Sequence, residues 1–184
     1  LIQPEGRKII GVGESTLGHI NRFFRFLGLK DKEWMPYCNA TYKSSIAFKN
    51  FRDNEGERFQ YPFGRCYHRD YMSFFELQVR YPHLYPPEEF ARFFNPNTIL
   101  SEENKMTSEF ISNEMQNWNF HQDTAYHMDS EKFGEFLSHR YPDVKVYTGN
   151  VINATRDETG NVITMNTDSG DRIMADLYID CTGF

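Results

Sequence analysis

The sequence predicts an α/β fold interrupted by a mainly helical insertion, and three observations carry that prediction. Ile9-Ile10-Gly11-Val12-Gly13-Glu14-Ser15-Thr16 reads as a strand end, a tight glycine loop and a helix start, followed by an amphipathic run over 17–27. From residue 144 onward the chain is plainly β, with segments 144–147, 151–156, 162–167 and 172–175 separated by turn residues. Between His68 and Trp118 neither period holds, and Pro82, Pro86, Pro87 and Pro96 cut the chain into short helices such as 88–94. A cover over a binding site is commonly built from such loops.

Glycines in the first stretch let backbone N–H groups approach an anion or a flat ring, and a helix start adds positive potential. The stretch resembles the G-x-G-x-x-G dinucleotide fingerprint, with Thr16 at the third glycine position. By itself it is equally a glycine turn ahead of a helix. Leu1 and Ile2 read as the end of a preceding strand, and Gln3 is either a ribose-binding residue or a polar loop residue. Ser15 or Thr16 is placed to cap the helix that follows. Ile20, Phe23, Phe24 and Leu27 make its buried face, and Gly28 stops it.

A short polar helix or turn over 31–35 leads into Cys38-Asn39-Ala40-Thr41-Tyr42-Lys43-Ser44-Ser45-Ile46-Ala47-Phe48, which reads as one strand. Period two puts Tyr42, Ser44, Ile46 and Phe48 on a core face and Thr41, Lys43, Ser45 and Ala47 on the other. Lys43 is then the one long cation among small side chains. It either projects into a channel or is an exposed lysine on an edge strand. Residues 51–63 read as a hairpin or loop. His68, His83, His121 and His127 lack the i, i+4 pairing of a metal site and read as polar core or surface residues. Asp129 or Ser130 caps a helix with Phe133, Phe136 and Leu137 facing inward. The last run, Asp176-Leu177-Tyr178-Ile179-Asp180-Cys181, reads as a strand ending at Thr182-Gly183, where a missing side chain lets a ligand come close.

A formal charge of −6 over 184 residues provides no global basic field for nucleic acid. Three cysteines without a C-x-x-C pair argue against a disulfide framework or zinc site and for a reducing compartment such as the cytoplasm. No apolar run is long enough to cross a membrane. Aromatics make up 16% of the chain. Most belong in a core, and the excess suggests aromatic walls around a flat ligand. With Leu1-Ile2-Gln3 opening in strand style and a strand-to-glycine turn at the end, the chain reads as an internal fragment of a longer protein.

Four segments, in order, resemble the flavin-dependent halogenases, especially the tryptophan-halogenase-like group. They are Gly11-Val12-Gly13-Glu14-Ser15-Thr16, Cys38-Asn39-Ala40-Thr41-Tyr42-Lys43, Ala125-Tyr126-His127-Met128-Asp129 and Ala175-Asp176-Leu177-Tyr178-Ile179-Asp180-Cys181-Thr182-Gly183. The resemblance covers the first and last thirds of the chain, without the aromatic insertion. It implies part of an FAD-binding Rossmann-like fold of the glutathione-reductase type, with a β-meander. On that basis 1–67 and 122–184 belong to the FAD-binding core and 68–121 is the substrate cover.

The resemblance also implies that reduced FAD, oxygen and a halide yield hypohalous acid, which Lys43 holds or activates for substitution on an aromatic or electron-rich substrate. A separate flavin reductase would supply the FADH2. Gly13, Glu14, Ser15 and Thr16 would lie beside the flavin, Val151 would offer backbone contacts toward the adenine side, and Gly183 would border the flavin. The family's phosphate loop would lie before Leu1. Its Trp-x-Trp-x-Ile-Pro motif, halide segment and catalytic glutamate would lie after Phe184. A flavin monooxygenase of the same fold, or a non-catalytic aromatic-rich interaction module, are the alternatives.

Overall fold

A computed structural model of the chain describes residues 1–4, 6, 14–51, 56–64, 71–106 and 123–181. Residues 9–13, the turn at 53–55, His68, His121 and Thr182-Gly183 lie outside the described residues. From the N-terminus the described elements are β1 (Ile2–Gln3), β2 (Glu14–Ser15), α1 (Ile20–Phe26), α2 (Asp31–Trp34), β3 (Thr41–Lys43), β4 (Ser45–Lys49) and β5 (Arg58–Pro62). They continue with α3 (Tyr71–Arg80), α4 (Phe90–Phe94), α5 (Pro96–Glu102), β6 (Ala125–Met128), α6 (Ser130–Arg140), β7 (Tyr147–Thr148), β8 (Val151–Arg156), β9 (Val162–Thr167) and β10 (Arg172–Ile173). The mixture is α/β, in two compact units: Gly11–Phe133, and Leu1–Ile10 with Gly134–Phe184.

In the unit Gly11–Phe133, β2 and β3 both pair antiparallel with β6, which is the middle strand. Below one face of this sheet sits an aromatic core. Phe24, Trp34 and Tyr126 are all at most 2% exposed. Their ring centroids lie 4.7 Å (Phe24–Trp34), 4.9 Å (Trp34–Tyr126) and 5.4 Å (Phe24–Tyr126) apart, and Phe133 closes the cluster. Tilted and edge-on pairs of this kind each contribute about 0.5–1.5 kcal/mol beyond area burial. Gly28, at φ +66°, turns the chain out of α1, as its position in the sequence predicts. Asp129 accepts from the Lys132 N–H at 3.1 Å and so caps α6, also as predicted.

Three local expectations are corrected. Ser15 and Thr16 do not cap α1, which starts only at Ile20 behind His19 with no side-chain cap. Their hydroxyls are committed elsewhere in the sheet. Phe23 is 46% exposed, while Asn21 is buried at 5%. The reason is polar: the Asn21 amide donates to the carbonyls of Gly18 and Thr124, and its Oδ1 accepts from the Tyr126 hydroxyl at 2.9 Å. The single strand read over 38–48 is broken at Ser44. Residues 41–43 pair with β6, whereas 45–49 pair with β5 in a separate hairpin. Ser44 is buried at the joint, where its carbonyl accepts from Phe63 N–H at 2.8 Å and its hydroxyl meets that of Ser101 at 2.8 Å.

The described part of the insertion is helical and packs its aromatics on one another. Phe74 lies 5.1 Å from Phe90 and 5.5 Å from Phe93, and Phe75 stacks on Phe90. Helix α5 starts at Pro96, with Asn95 Oδ1 accepting from Asn97 N–H at 2.9 Å.

In the other unit, β8, β9 and β10 form an antiparallel meander, and β1 pairs parallel with β7. Asp157 holds the β8–β9 turn by accepting from the N–H groups of Thr159 and Asn161, both at 2.9 Å. The run 176–181 is not a strand: it makes no ladder among the described residues, and Leu177 and Ile179 are largely exposed. Tyr178 ties it to the meander, its hydroxyl donating to the Ile163 carbonyl at 2.8 Å. No helix among the described residues is long and apolar enough to cross a membrane.

Candidate functional site

The site follows from the register of the central sheet. Ser15 on β2 and Thr41 on β3 both lie opposite His127 on β6, and Lys43 lies opposite Ala125. Directly opposed residues share a face, so Ser15, Thr41, Lys43 and His127 stand on one side. Tyr42 and Tyr126, one residue out of phase, stand on the other with the aromatic core. The core thus backs a face that carries a cation.

Lys43 reaches across the middle strand. Its Nζ donates to Ser15 Oγ at 2.7 Å and to the Thr16 carbonyl at 3.2 Å. The same ammonium lies 5.4 Å from the centroid of the Phe63 ring, within cation–π range. Thr16 is itself fixed. Its N–H and hydroxyl donate to the Tyr126 carbonyl at 2.9 and 3.0 Å, and its hydroxyl accepts from the Tyr126 N–H at 2.9 Å. Tyr126 is anchored in turn through its hydroxyl to Asn21 and to the Asp31 carboxylate.

Partial burial pushes the Lys43 amine below the ordinary lysine value. His127 is likewise held below its ordinary value, first by burial and then by the positive charge of Lys43. The Tyr126 phenol is pushed far up by burial, by the Asp31 charge and by its hydrogen bond to Asp31. Two neutral oxygens and a ring surround the Lys43 charge, a setting suited to handing a proton or hydrogen bond to a small polar guest.

Of the residues singled out from sequence, Lys43, Ser15 and Thr16 meet here. Glu14 is next in the strand but opposite Met128, on the other face, and exposed. Val151 begins β8 in the other unit, 43% exposed and paired with Thr167. Gly13 and Gly183 lie outside the described residues. His127 and Phe63 are additions. Alternation along Ala125-Tyr126-His127-Met128 carries the signal for His127, whereas Phe63 reaches Lys43 through a hairpin with no local trace of it. Among the described residues no cluster of His, Cys, Asp or Glu could hold a metal ion.

Comparison with known proteins decides the family. The family model for tryptophan halogenase matches residues 1–184. The chain belongs to the tryptophan halogenase family. It is 32% identical over 197 residues to the 7-chloro-L-tryptophan 6-halogenase KtzR of Kutzneria sp. (strain 744), covering 95% of this chain and 37% of that protein. The apo structure of VirX1 superimposes with a TM-score of 0.88 at 45% identity, over all of this chain and 36% of that one. Xcc4156, a flavin-dependent halogenase from Xanthomonas campestris, gives a TM-score of 0.79 at 25% identity, over 100% of this chain and 36% of that one. The chain therefore spans little more than a third of the length of these three proteins.

Membership of this family raises the question of a flavin, and the described residues fit one. β2 is an edge strand, and Glu14 and Ser15 are both exposed on it. Its outer backbone groups pair with no other strand among the described residues. A hydrogen-bonding rim beside a cation suits the polar edge of an isoalloxazine ring.

Proposed function

We propose that the protein carrying this chain is a flavin-dependent halogenase acting on a small aromatic or electron-rich substrate, with Lys43 as its catalytic amine. The observation that carries this reading is the Lys43 ammonium, fixed on the open sheet face between Ser15 Oγ, the Thr16 carbonyl and the Phe63 ring. The fold is then part of an FAD-binding Rossmann-like domain. Gly13, Glu14, Ser15 and Thr16 hold the flavin, with Val151 toward the adenine and Gly183 at the flavin border. Residues 68–121 form the substrate cover. A separate flavin reductase supplies FADH2, in the cytoplasm.

Bound reduced FAD supplies two electrons and the halide two, so that FADH2, O2, X⁻ and H⁺ give FAD, HOX and H2O. The chain's own residues act on the HOX. Lys43 has three N–H donors, two of which are occupied by Ser15 and Thr16. Its remaining N–H donates to the oxygen of HOX and polarises the O–X bond. As the ring attacks the halogen, the O–X bond breaks and the ammonium proton passes to the departing oxygen, which leaves as water. Loss of a ring proton to the amine restores the ammonium and the aromatic product. The lowered pKa of Lys43 makes that proton easier to give.

Lys43→Ala in the full-length protein tests the reading. Halide-dependent product is expected to fall by about 100-fold or more, while reduced flavin is still oxidised by oxygen. Unchanged product formation would sink it, and an oxygenated product in place of a halogenated one would assign the site to a monooxygenase.

A further inference from the structure

Helix α5 touches the Lys43 site at two places without touching Lys43. Ser101 meets Ser44, the residue after Lys43, through their hydroxyls at 2.8 Å. At the other end of the helix, the side-chain amides of Asn95 and Asn97 both donate to the Phe63 carbonyl, at 3.0 and 3.2 Å. The Phe63 N–H donates to the Ser44 carbonyl at 2.8 Å. Phe63 is therefore held by its backbone from both sides, and its ring is the surface against which Lys43 Nζ rests. The environment is dry: Asn95 is 4% exposed, Asn97 0% and Phe63 8%.

The two asparagines do different things. Asn95 spends its oxygen on the helix cap and its amide on Phe63. Asn97 spends its amide on Phe63, and its buried Oδ1 has no hydrogen-bond partner. An unsatisfied buried acceptor is costly, so helix stability alone does not account for an asparagine at 97. A donor aimed at the Phe63 carbonyl does.

We propose that Asn95 and Asn97 are positioning residues for Lys43, acting through Phe63, so that the helical insertion sets the reach of the amine. The proposal rests on the reading of Lys43 as the catalytic amine only for its effect on turnover. Its structural half stands on the contacts themselves. Insertion and lysine then form one mechanical unit: a change that tilts α5 moves both Ser44, the residue after Lys43, and Phe63, whose ring faces the ammonium.

The test uses the full-length protein. Asn95→Ser keeps an oxygen for the cap and removes the donor to Phe63, and Asn97→Ser removes the other donor while leaving the cap untouched. Thr98→Val is the control. It breaks a different buried bond in α5, from the Thr98 hydroxyl to the Ala91 carbonyl at 3.0 Å, and leaves the clamp in place. The first readout is independent of turnover: the pH profile of Lys43 acetylation by acetic anhydride, followed by mass spectrometry. Among the described residues the titratable neighbour on the face of Lys43 is His127, from β6, held below its ordinary value; Ser15, Thr16 and Phe63 carry no charge.

With the clamp loosened, the Phe63 ring no longer shields one side of the amine, and the Lys43 profile moves up toward that of an ordinary lysine in both asparagine variants but not in Thr98→Val. Turnover for halogenated product is expected to fall by about 10-fold or more with KM unchanged, since misplacement of a reacting group is a loss of orientation. A Lys43 profile in Asn95→Ser and Asn97→Ser identical to that of the parent overturns the proposal. A profile that moves with turnover unchanged supports the clamp and overturns the catalytic reading of Lys43.

Discussion

Lys43 Nζ and Ser15 Oγ lie 2.7 Å apart although they stand on two strands that do not touch, β3 and β2, with β6 between them. The bond is possible because Ser15, His127 and Thr41 line up in one row across the sheet and Lys43 is two residues further along the same face.

Ser15→Ala removes the shorter of the two hydrogen bonds made by the ammonium. The pair is exposed, so its worth is discounted to about 1 kcal/mol. Halide-dependent turnover is expected to drop about 5-fold. The thermal midpoint should stay within about 2 °C of the parent, as for other surface substitutions.

His127 binds its proton less readily in the folded chain than at the ordinary value of 6.5. The unfolded state therefore takes up more protons between 6.5 and the lower folded value. Stability is unaffected above that window and is lost as pH falls through it. His127→Gln should flatten the decline between pH 7 and 5 in urea midpoints. Lys43→Met should raise the His127 titration seen by NMR, only in part, because burial is the larger cause.

Tyr126→Phe deletes the hydroxyl that serves Asn21 and Asp31. Stranding the buried Asn21 Oδ1, while Asp31 keeps its Trp34 and Tyr42 donors, should cost about 1–3 kcal/mol in chemical denaturation. The phenol is held far above its usual value, so the absorbance change of tyrosine ionisation up to pH 11 should be the same with and without it.

Gly149→Ala would place a Cβ 2.8 Å from both Asp168 Oδ1 and Ser169 Oγ. Asp168 cannot simply swing aside, since it accepts from both the backbone N–H and the side-chain amide of Asn150 at 2.8 and 2.7 Å. A destabilisation of about 1–3 kcal/mol is expected, read from the denaturation midpoint. Asn150→Ala made together with it should soften the penalty only in part, because it removes the amide donor to Oδ2 while the backbone N–H still holds Oδ1.

Much of this was legible in the residues. Alternation marked the cation on the small-residue side of its strand, and Asp129 and Gly28 ended their elements where local chemistry says they must. The motif segments carried the family. What stayed hidden is long-range. Nothing within 38–48 announces that Ser44 leaves one sheet for another, because the break is imposed by Phe63 and Ser101, residues far along the chain. Asn21 looks like a surface residue on a helix until Thr124 and Tyr126 supply its partners. The strand expected over 176–181 had the composition of one and lacked a neighbour to pair with among the described residues.

The middle strand has a consequence for how this chain tolerates change in length. β6 presents Tyr126 to the aromatic core and His127 to the lysine, in consecutive positions. Slipping it by a single residue would drive the imidazole into the place of the phenol and the phenol out beside the ammonium. One inserted or deleted residue between Thr124 and Asp129 is thus a double lesion, striking the hydrophobic anchor and the reactive face together. Point substitutions there can be graded; indels cannot. The four residues of β6 act as a ruler, and a ruler cannot lose a division and still measure.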